Sequence, residues 1–294
     1  MTQIIPSLAS IAADYDAVFC DLWGCLHNGA QPFPAAVSAL QGFRARGGRV
    51  ILLTNAPRPR RDVATHLAAM GVPDDCYDDI VTSGQAAQFA MLSGAVGQKV
   101  HHIGAPKDEG FFTDFDLSMA AMAPSAGITR VPMDRAQGIV CTGLTDDMTQ
   151  TPNDYRATLL MGKTLGLPIL CANPDLTVHV AGKLLYCAGA LAAEYEKMGG
   201  ETLYFGKPHP PIYDRARARL SDLGADDARI LCIGDGIATD VAGAGGEGLD
   251  CLYITSGVDG ARFGPSPSAP DPALLRAFLA EKQAAPRYSM GFLG

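Results

Sequence analysis

Hydrophobic residues along this chain fall into short unbroken runs separated by amphipathic stretches. The first run, Ala17-Val18-Phe19-Cys20, closes in Asp21 and a glycine-containing loop, Leu22 to Gly29. A run of that length, rich in β-formers and ended by turn residues, predicts a buried parallel strand. Pro34 to Gly47 predicts a helix, with Pro at its start, Val37, Leu40 and Phe43 at helical spacing, and a Gly pair as its stop. Arg49 to Asn55 predicts a second buried strand, and Arg58 to Met70 a helix closed by Gly71. Strand, helix, strand is a βαβ unit. Asp21 and Thr54-Asn55 are therefore expected on one edge of a parallel sheet, the carboxyl edge where open α/β sheets carry their chemistry.

The texture changes in the middle of the chain. A helix is predicted near Ser83 to Leu92, strands at Val100 to Gly104, Gly138 to Gly143 and Pro168 to Asn173, and a helix over Asp154 to Leu165; Ala120 to Pro132 is irregular. Residues 84–183 thus read as a second α/β module inserted into a first one made of residues 1–83 and 184–294. The first module resumes with a helix over Leu184 to Met198, a strand Thr202 to Phe205, and a helix Ile212 to Leu223. Arg229 to Ile233 is the clearest buried strand, ending in Gly234-Asp235-Gly236-Ile237-Ala238-Thr239-Asp240. A strand at Leu249 to Thr255 follows, then a Pro/Ser-rich connector, a short helix from Ala273 to Glu281 and a loosely held tail.

Composition narrows the class. At 294 residues and 48% hydrophobic, the chain can bury a full core in two domains. Its 23 basic and 31 acidic residues give −8, which argues against nucleic-acid or anionic-membrane partners. The eight cysteines form no C-x-x-C pair and fall mostly in apolar runs, so they read as reduced core residues. With no secretory leader pattern and no apolar run of membrane-spanning length, a cytoplasmic protein is expected.

Strand ends now carry Asp21, Thr54, Lys207 (in Gly206-Lys207-Pro208) and the pair Asp235/Asp240. Their order and surroundings resemble the four motifs of the haloacid dehalogenase superfamily of phosphotransferases, over nearly the whole chain. The insert between the second and third motifs is similar to the class IIA cap of nucleotide and sugar phosphatases. The resemblance implies a Rossmann-like α/β core with an inserted α/β cap that sets specificity. It also implies a Mg²⁺-dependent phosphatase acting on a small phosphorylated metabolite, and leaves a homodimer open.

The chemistry fits the residues. Phosphate-ester hydrolysis has a very high uncatalysed barrier, so a site must position groups and neutralise charge. Asp21 suits a nucleophile that forms an aspartyl-phosphate. Asp21, Asp235 and Asp240 suit Mg²⁺, a hard cation that takes oxygen ligands, and the family adds the main-chain carbonyl at Trp23. Lys207 would steady the phosphoryl oxygens as a point charge, and Thr54, with Asn55 beside it, would hold a non-bridging oxygen. In the insert, Asn173 and Asp175 resemble a stretch that faces the substrate in this cap class; an Asx-Pro turn explains Asn173-Pro174-Asp175 equally well.

One residue departs from the family pattern. Trp23 stands where most of these phosphatases carry a second Asp, which protonates the leaving group and activates water. Indole cannot do so. General acid–base assistance is worth about 10²–10⁴-fold. His27 is a substitute if the loop folds back, and a structural residue if it does not. The vacancy keeps open a second reading, a non-catalytic relative that binds a phosphorylated ligand or a partner protein. Gly243 to Gly248 matches G-x-G-x-x-G only formally, since a helix precedes it and a strand follows, the reverse of a dinucleotide site. His101, His102 and His179 read as surface or structural residues.

Overall fold

The computed structural model describes residues 2–180, 183–226 and 228–294. The chain forms two compact units: Met1–Thr54, Ala64–Val81 and Tyr213–Gly294 make the first, and Asn55–Val63 with Thr82–Ile212 the second.

The first unit is built on a seven-stranded sheet. Its order is Gln3–Ile4, Tyr288–Met290, Asp250–Ile254, Ile230–Gly234, Ala17–Cys20, Arg49–Thr54 and Asp79–Thr82. The ladders from Gln3–Ile4 to Arg49–Thr54 are all parallel. Ala17–Cys20 is central and wholly buried, which is why its four residues are apolar without alternation. The helix Pro34–Ala45 buries Ala36, Val37, Leu40 and Phe43, the face its sequence period predicts. Arg44 ties that helix to the sheet, donating from Nε and Nη2 to the two carboxylate oxygens of Asp78 (3.1 and 2.9 Å), while Val50 N–H donates to the same carboxylate. Register fixes the site: Cys20 lies opposite both Ile233 and Leu52, so Asp21, Thr54 and Asp235 leave the sheet at one edge.

The second unit holds a five-stranded parallel sheet, in the order Thr202–Tyr204, Ile169–Cys171, Gly138–Cys141, Lys99–Ile103 and Thr129–Arg130. An antiparallel pair, Thr177–Val180 with Lys183–Tyr186, stands apart from it; the side chain of His179 lies outside the described residues.

Three expectations change. The helix predicted from Leu184 begins at Ala188, because Lys183–Tyr186 is a strand of that pair. Residues 184–212 belong to the second unit, not the first: Leu191 and Tyr195 pack with Ile139 and Ile169 in one core, and Thr202–Tyr204 pairs with Ile169–Cys171. Local pattern identifies a helix or a strand, but not the sheet it joins. The C-terminal tail is not loose. Tyr288–Met290 is a buried strand lying between the Gln3–Ile4 and Asp250–Ile254 strands. Three residues are too few to show a period, and their partners are far off in sequence.

The tail gives a direct test. Met290 is 4% exposed, so Met290→Ala is expected to cost about 2–5 kcal/mol in a urea unfolding titration. A loosely held tail would give a change within about 0.5 kcal/mol.

Candidate active site

The motif loop is shaped by its own main-chain hydrogen bonds. Asp21 N–H donates to Ile233 O at 2.8 Å, holding the first residue beyond the strand to its neighbour. The Leu22 carbonyl then accepts from Leu26 and His27 N–H (2.8 and 3.1 Å), closing a tight turn that carries residue 25 back toward Asp21. Two glycine backbones press on the Asp235 carboxylate: a Cβ at Gly24 or Gly257 would lie 2.2 or 1.9 Å from its Oδ2. Gly24 also has φ +72°, a left-handed conformation that glycine adopts freely. Val258 N–H donates to Asp235 Oδ2 at 3.0 Å.

Ligand atoms of Asp21, Cys25 and Asp235 lie within 4.8 Å of one another, the group among the described residues best arranged to hold a metal ion. Two converging carboxylates are the donor set of a hard divalent cation and fit Mg²⁺. Burial, and then the negative charges of Asp235 and Asp21, push the Cys25 thiol well above its usual pKa. Asp240 is not part of this group. Its Oδ2 accepts from Gly236 N–H (3.1 Å) and from Thr239 Oγ (3.3 Å), closing the Gly234–Asp240 loop around the short π-turn Ile237–Val241. Gly234 makes room for it, since a Cβ there would lie 2.0 Å from Asp240 Cγ. Thr54 ends its strand buried at the same edge.

Trp23 and His27 form one packed element. The indole lies on Gly29, where a Cβ would sit 2.2 Å from Cη2, and meets the His27 ring edge-on at 5.3 Å. His27 is 1% exposed. Its Nδ1 accepts from Gly29 N–H at 3.0 Å, and its carbonyl accepts from Gly24 N–H. Burial first, then the nearby His66, lowers its pKa to about 4. A neutral ring whose basic nitrogen is engaged holds the loop together and is no proton donor near neutral pH.

In the second unit, Asn55 holds Lys207 by its main chain. Lys207 N–H donates to Asn55 Oδ1 (2.7 Å), and Asn55 Nδ2 donates to Lys207 O (3.1 Å) and to Asp175 Oδ1 (2.8 Å). Gly206 lets these groups meet, for a Cβ there would lie 2.5–2.7 Å from Asn55 Oδ1, Pro174 Cδ and Ser83 Oγ. Asn173 Oδ1 accepts from Asp175 N–H at 3.0 Å, the Asx turn that its sequence allows. Asn55, Asn173, Asp175 and Lys207 are thus one network. His101 and His102 are structural: one ring contacts Val131 O (3.2 Å), the other Thr142 Oγ (2.9 Å). Gly243 serves packing against the Tyr213 hydroxyl, not a dinucleotide.

Sequence reasoning missed Cys25 and Gly257. Three residues separate Asp21 from Cys25, a spacing that brings them together only if the intervening loop folds into a turn. Gly257 leaves no pattern, because the carboxylate it accommodates is 22 residues upstream.

A parallel sheet with two carboxylates gathered at its carboxyl edge defines a Rossmann-like α/β scaffold, and the family it matches is one of hydrolases. Residues 18–118 match the haloacid dehalogenase-like hydrolase family and residues 204–281 the HAD-hydrolase-like family. The chain is 30% identical over 243 residues to the ribonucleotide monophosphatase NagD of Escherichia coli, covering 82% of this chain and 88% of that one. A solved haloacid dehalogenase-like hydrolase from Brucella suis superposes with a TM-score of 0.83 at 39% identity, covering 99% of this chain and 100% of its own. The glycerol phosphate phosphatase of Mycobacterium tuberculosis, solved with magnesium, gives 0.63 at 29% identity, over 85% of this chain and 70% of its own; that enzyme has also been solved with calcium. This chain belongs to the haloacid dehalogenase-like hydrolase family. No helix among the described residues is long and apolar enough to cross a membrane.

Two expectations follow. In the unfolded chain His27 takes up a proton near pH 6.5, and in the folded one only near 4. Its contribution is complete above pH 6.5 and is lost as pH falls toward 4, by about 3 kcal/mol. Urea titrations from pH 7 to 4 should show that slope, and His27→Gln should flatten it. Asn55→Ala leaves the buried Lys207 N–H without its acceptor, and should cost about 1–3 kcal/mol in the same assay.

Proposed function

We propose that this protein is a Mg²⁺-dependent phosphatase of a small phosphorylated metabolite, working through an aspartyl-phosphate on Asp21. The observation that carries the reading is the pair of half-buried Asp21 and buried Asp235, held at one sheet edge with their oxygens converging. Relatives named as phosphatases of nucleotides and of glycerol phosphate support it.

Asp21, the Trp23 carbonyl and Asp235 would hold Mg²⁺, with Asp240 stiffening the loop that presents Asp235. When bound, the cation supplies charge neutralisation for the carboxylates and the phosphoryl group. An Asp21 oxygen attacks phosphorus, the ester P–O bond breaks, and the leaving oxygen departs with the bonding pair and takes its proton from solvent. Water then attacks the acyl phosphate, returning the carboxylate and releasing inorganic phosphate. Lys207 contributes positive charge to the phosphoryl oxygens, and Thr54 a hydroxyl to one of them. Asn55 acts on Lys207 by fixing its main chain. Asn173 and Asp175 shape the segment that meets the substrate.

Trp23 decides which substrates turn over well. With indole at this position and His27 neutral, the loop offers the leaving group no proton. Aryl phosphates, whose phenolates depart unaided, should outrun alkyl phosphates by about 10²-fold or more. Trp23→Asp should narrow that ratio by raising the alkyl rate, with Trp23→Phe as the control for loop packing. Rapid quench after an aryl phosphate should leave one phosphoryl group on Asp21 by peptide mass, absent in Asp21→Asn. Equal aryl and alkyl rates, or no label at Asp21, would overturn the mechanism.

A further inference from the structure

Cys25 has no part in the chemistry just described, yet its sulfur lies at the same centre. The turn closed on the Leu22 carbonyl brings Sγ within 4.8 Å of carboxylate oxygens of both Asp21 and Asp235. The side chain is fully buried, and its thiol has no hydrogen-bond partner among the described residues. A polar group that is buried, unpartnered and aimed at two carboxylates is arranged as a ligand.

The three donors differ in what they accept. Mg²⁺ takes oxygen in near-octahedral geometry and has little use for sulfur. Zn²⁺ and Cd²⁺ take thiolate readily, and bind oxygen and nitrogen sites more tightly than Mg²⁺ does. Two carboxylates and one thiolate, with a fourth position open to water, is the three-ligand pattern of an accessible zinc site. Bonds of about 2.0 Å to oxygen and 2.3 Å to sulfur place tetrahedral ligands roughly 3.5 Å apart. Separations of up to 4.8 Å close to that value by side-chain movements of about 1 Å.

We propose that Asp21, Cys25 and Asp235 form a binding site for a thiophilic divalent cation, Zn²⁺ or Cd²⁺, which excludes Mg²⁺ and switches the hydrolase off. Binding forms a metal–sulfur bond and releases the thiol proton to solvent. It also replaces the near-octahedral cation beside the Asp21 nucleophile with a tetrahedral one that has a single open position for a phosphoryl oxygen. The inhibitory half of the proposal rests on the reading of Asp21 as nucleophile; the binding half does not.

The experiment uses the full chain, freed of metal, as wild type, Cys25→Val and Cys25→Ser. Cd²⁺ is titrated while the ultraviolet sulfur-to-cadmium charge-transfer band is followed, and thermal melts are run with and without Mg²⁺. In the wild type the band should saturate at a single Cd²⁺ per chain. Both variants should lose it, with Cd²⁺ affinity falling by about 10-fold or more, while keeping the Mg²⁺-dependent rise in melting temperature. Zn²⁺ should inhibit aryl phosphate hydrolysis in competition with Mg²⁺ in the wild type, and about 10-fold more weakly in the variants. No band in the wild type, or a band that survives in a folded variant, overturns the site. A Cys25-dependent band in a protein whose melting ignores Mg²⁺ supports the thiolate site and overturns the Mg²⁺ phosphatase reading instead.

Discussion

Two carboxylates gathered at the end of a buried strand repel each other, and the rest of this molecule is arranged around that fact. At about 4 Å and an effective dielectric of about 20, like charges cost about 4 kcal/mol. A hydrogen bond to a charged group returns about 1.5–3 kcal/mol, and Val258 N–H gives Asp235 one. A cation placed between the two carboxylates favours their charged forms further, by opposite charge. Parallel register brings the two strand ends together, and Gly24 and Gly257 leave room for the Asp235 carboxylate alone.

The loop between Asp21 and Gly29 is packed around an indole. Trp23 is an integrated part of the loop. Its indole covers a glycine backbone and packs against His27, whose ring accepts a main-chain hydrogen bond. An acidic residue in its place would give up that packing and add a third negative charge near the pair. Here the position contributes packing, and no acidic group.

Lys207 is positioned by a different device. Asn55 engages both the N–H and the carbonyl of Lys207, and reaches Asp175 with the same amide. A lysine side chain is long and flexible, so fixing its main chain removes part of the freedom it would otherwise lose on binding an anion. Asn55 and Asp175 thereby act on the cation, not as independent contacts scattered along the chain.

The apolar runs at Ala17–Cys20, Arg49–Thr54 and Ile230–Gly234 settled from sequence alone that this is a parallel α/β protein with Asp21, Thr54 and Asp235 at one edge, because a fully buried strand needs a continuous apolar run. Trp23 was equally visible, being a matter of residue identity. Tertiary structure decided the rest. Residues 184–212 join the second unit because strand Thr202–Tyr204 finds its partner in Ile169–Cys171, a choice of neighbour that no local period encodes. Tyr288–Met290 is a strand only because Ile4 and Ile254 lie beside it. Asp240 closes its own loop, His27 is held neutral, and Cys25 meets two carboxylates, each through turns and contacts set by packing. Sequence determines which groups a chain possesses and the period of its elements; close packing determines which of those groups meet, and so which are left to react.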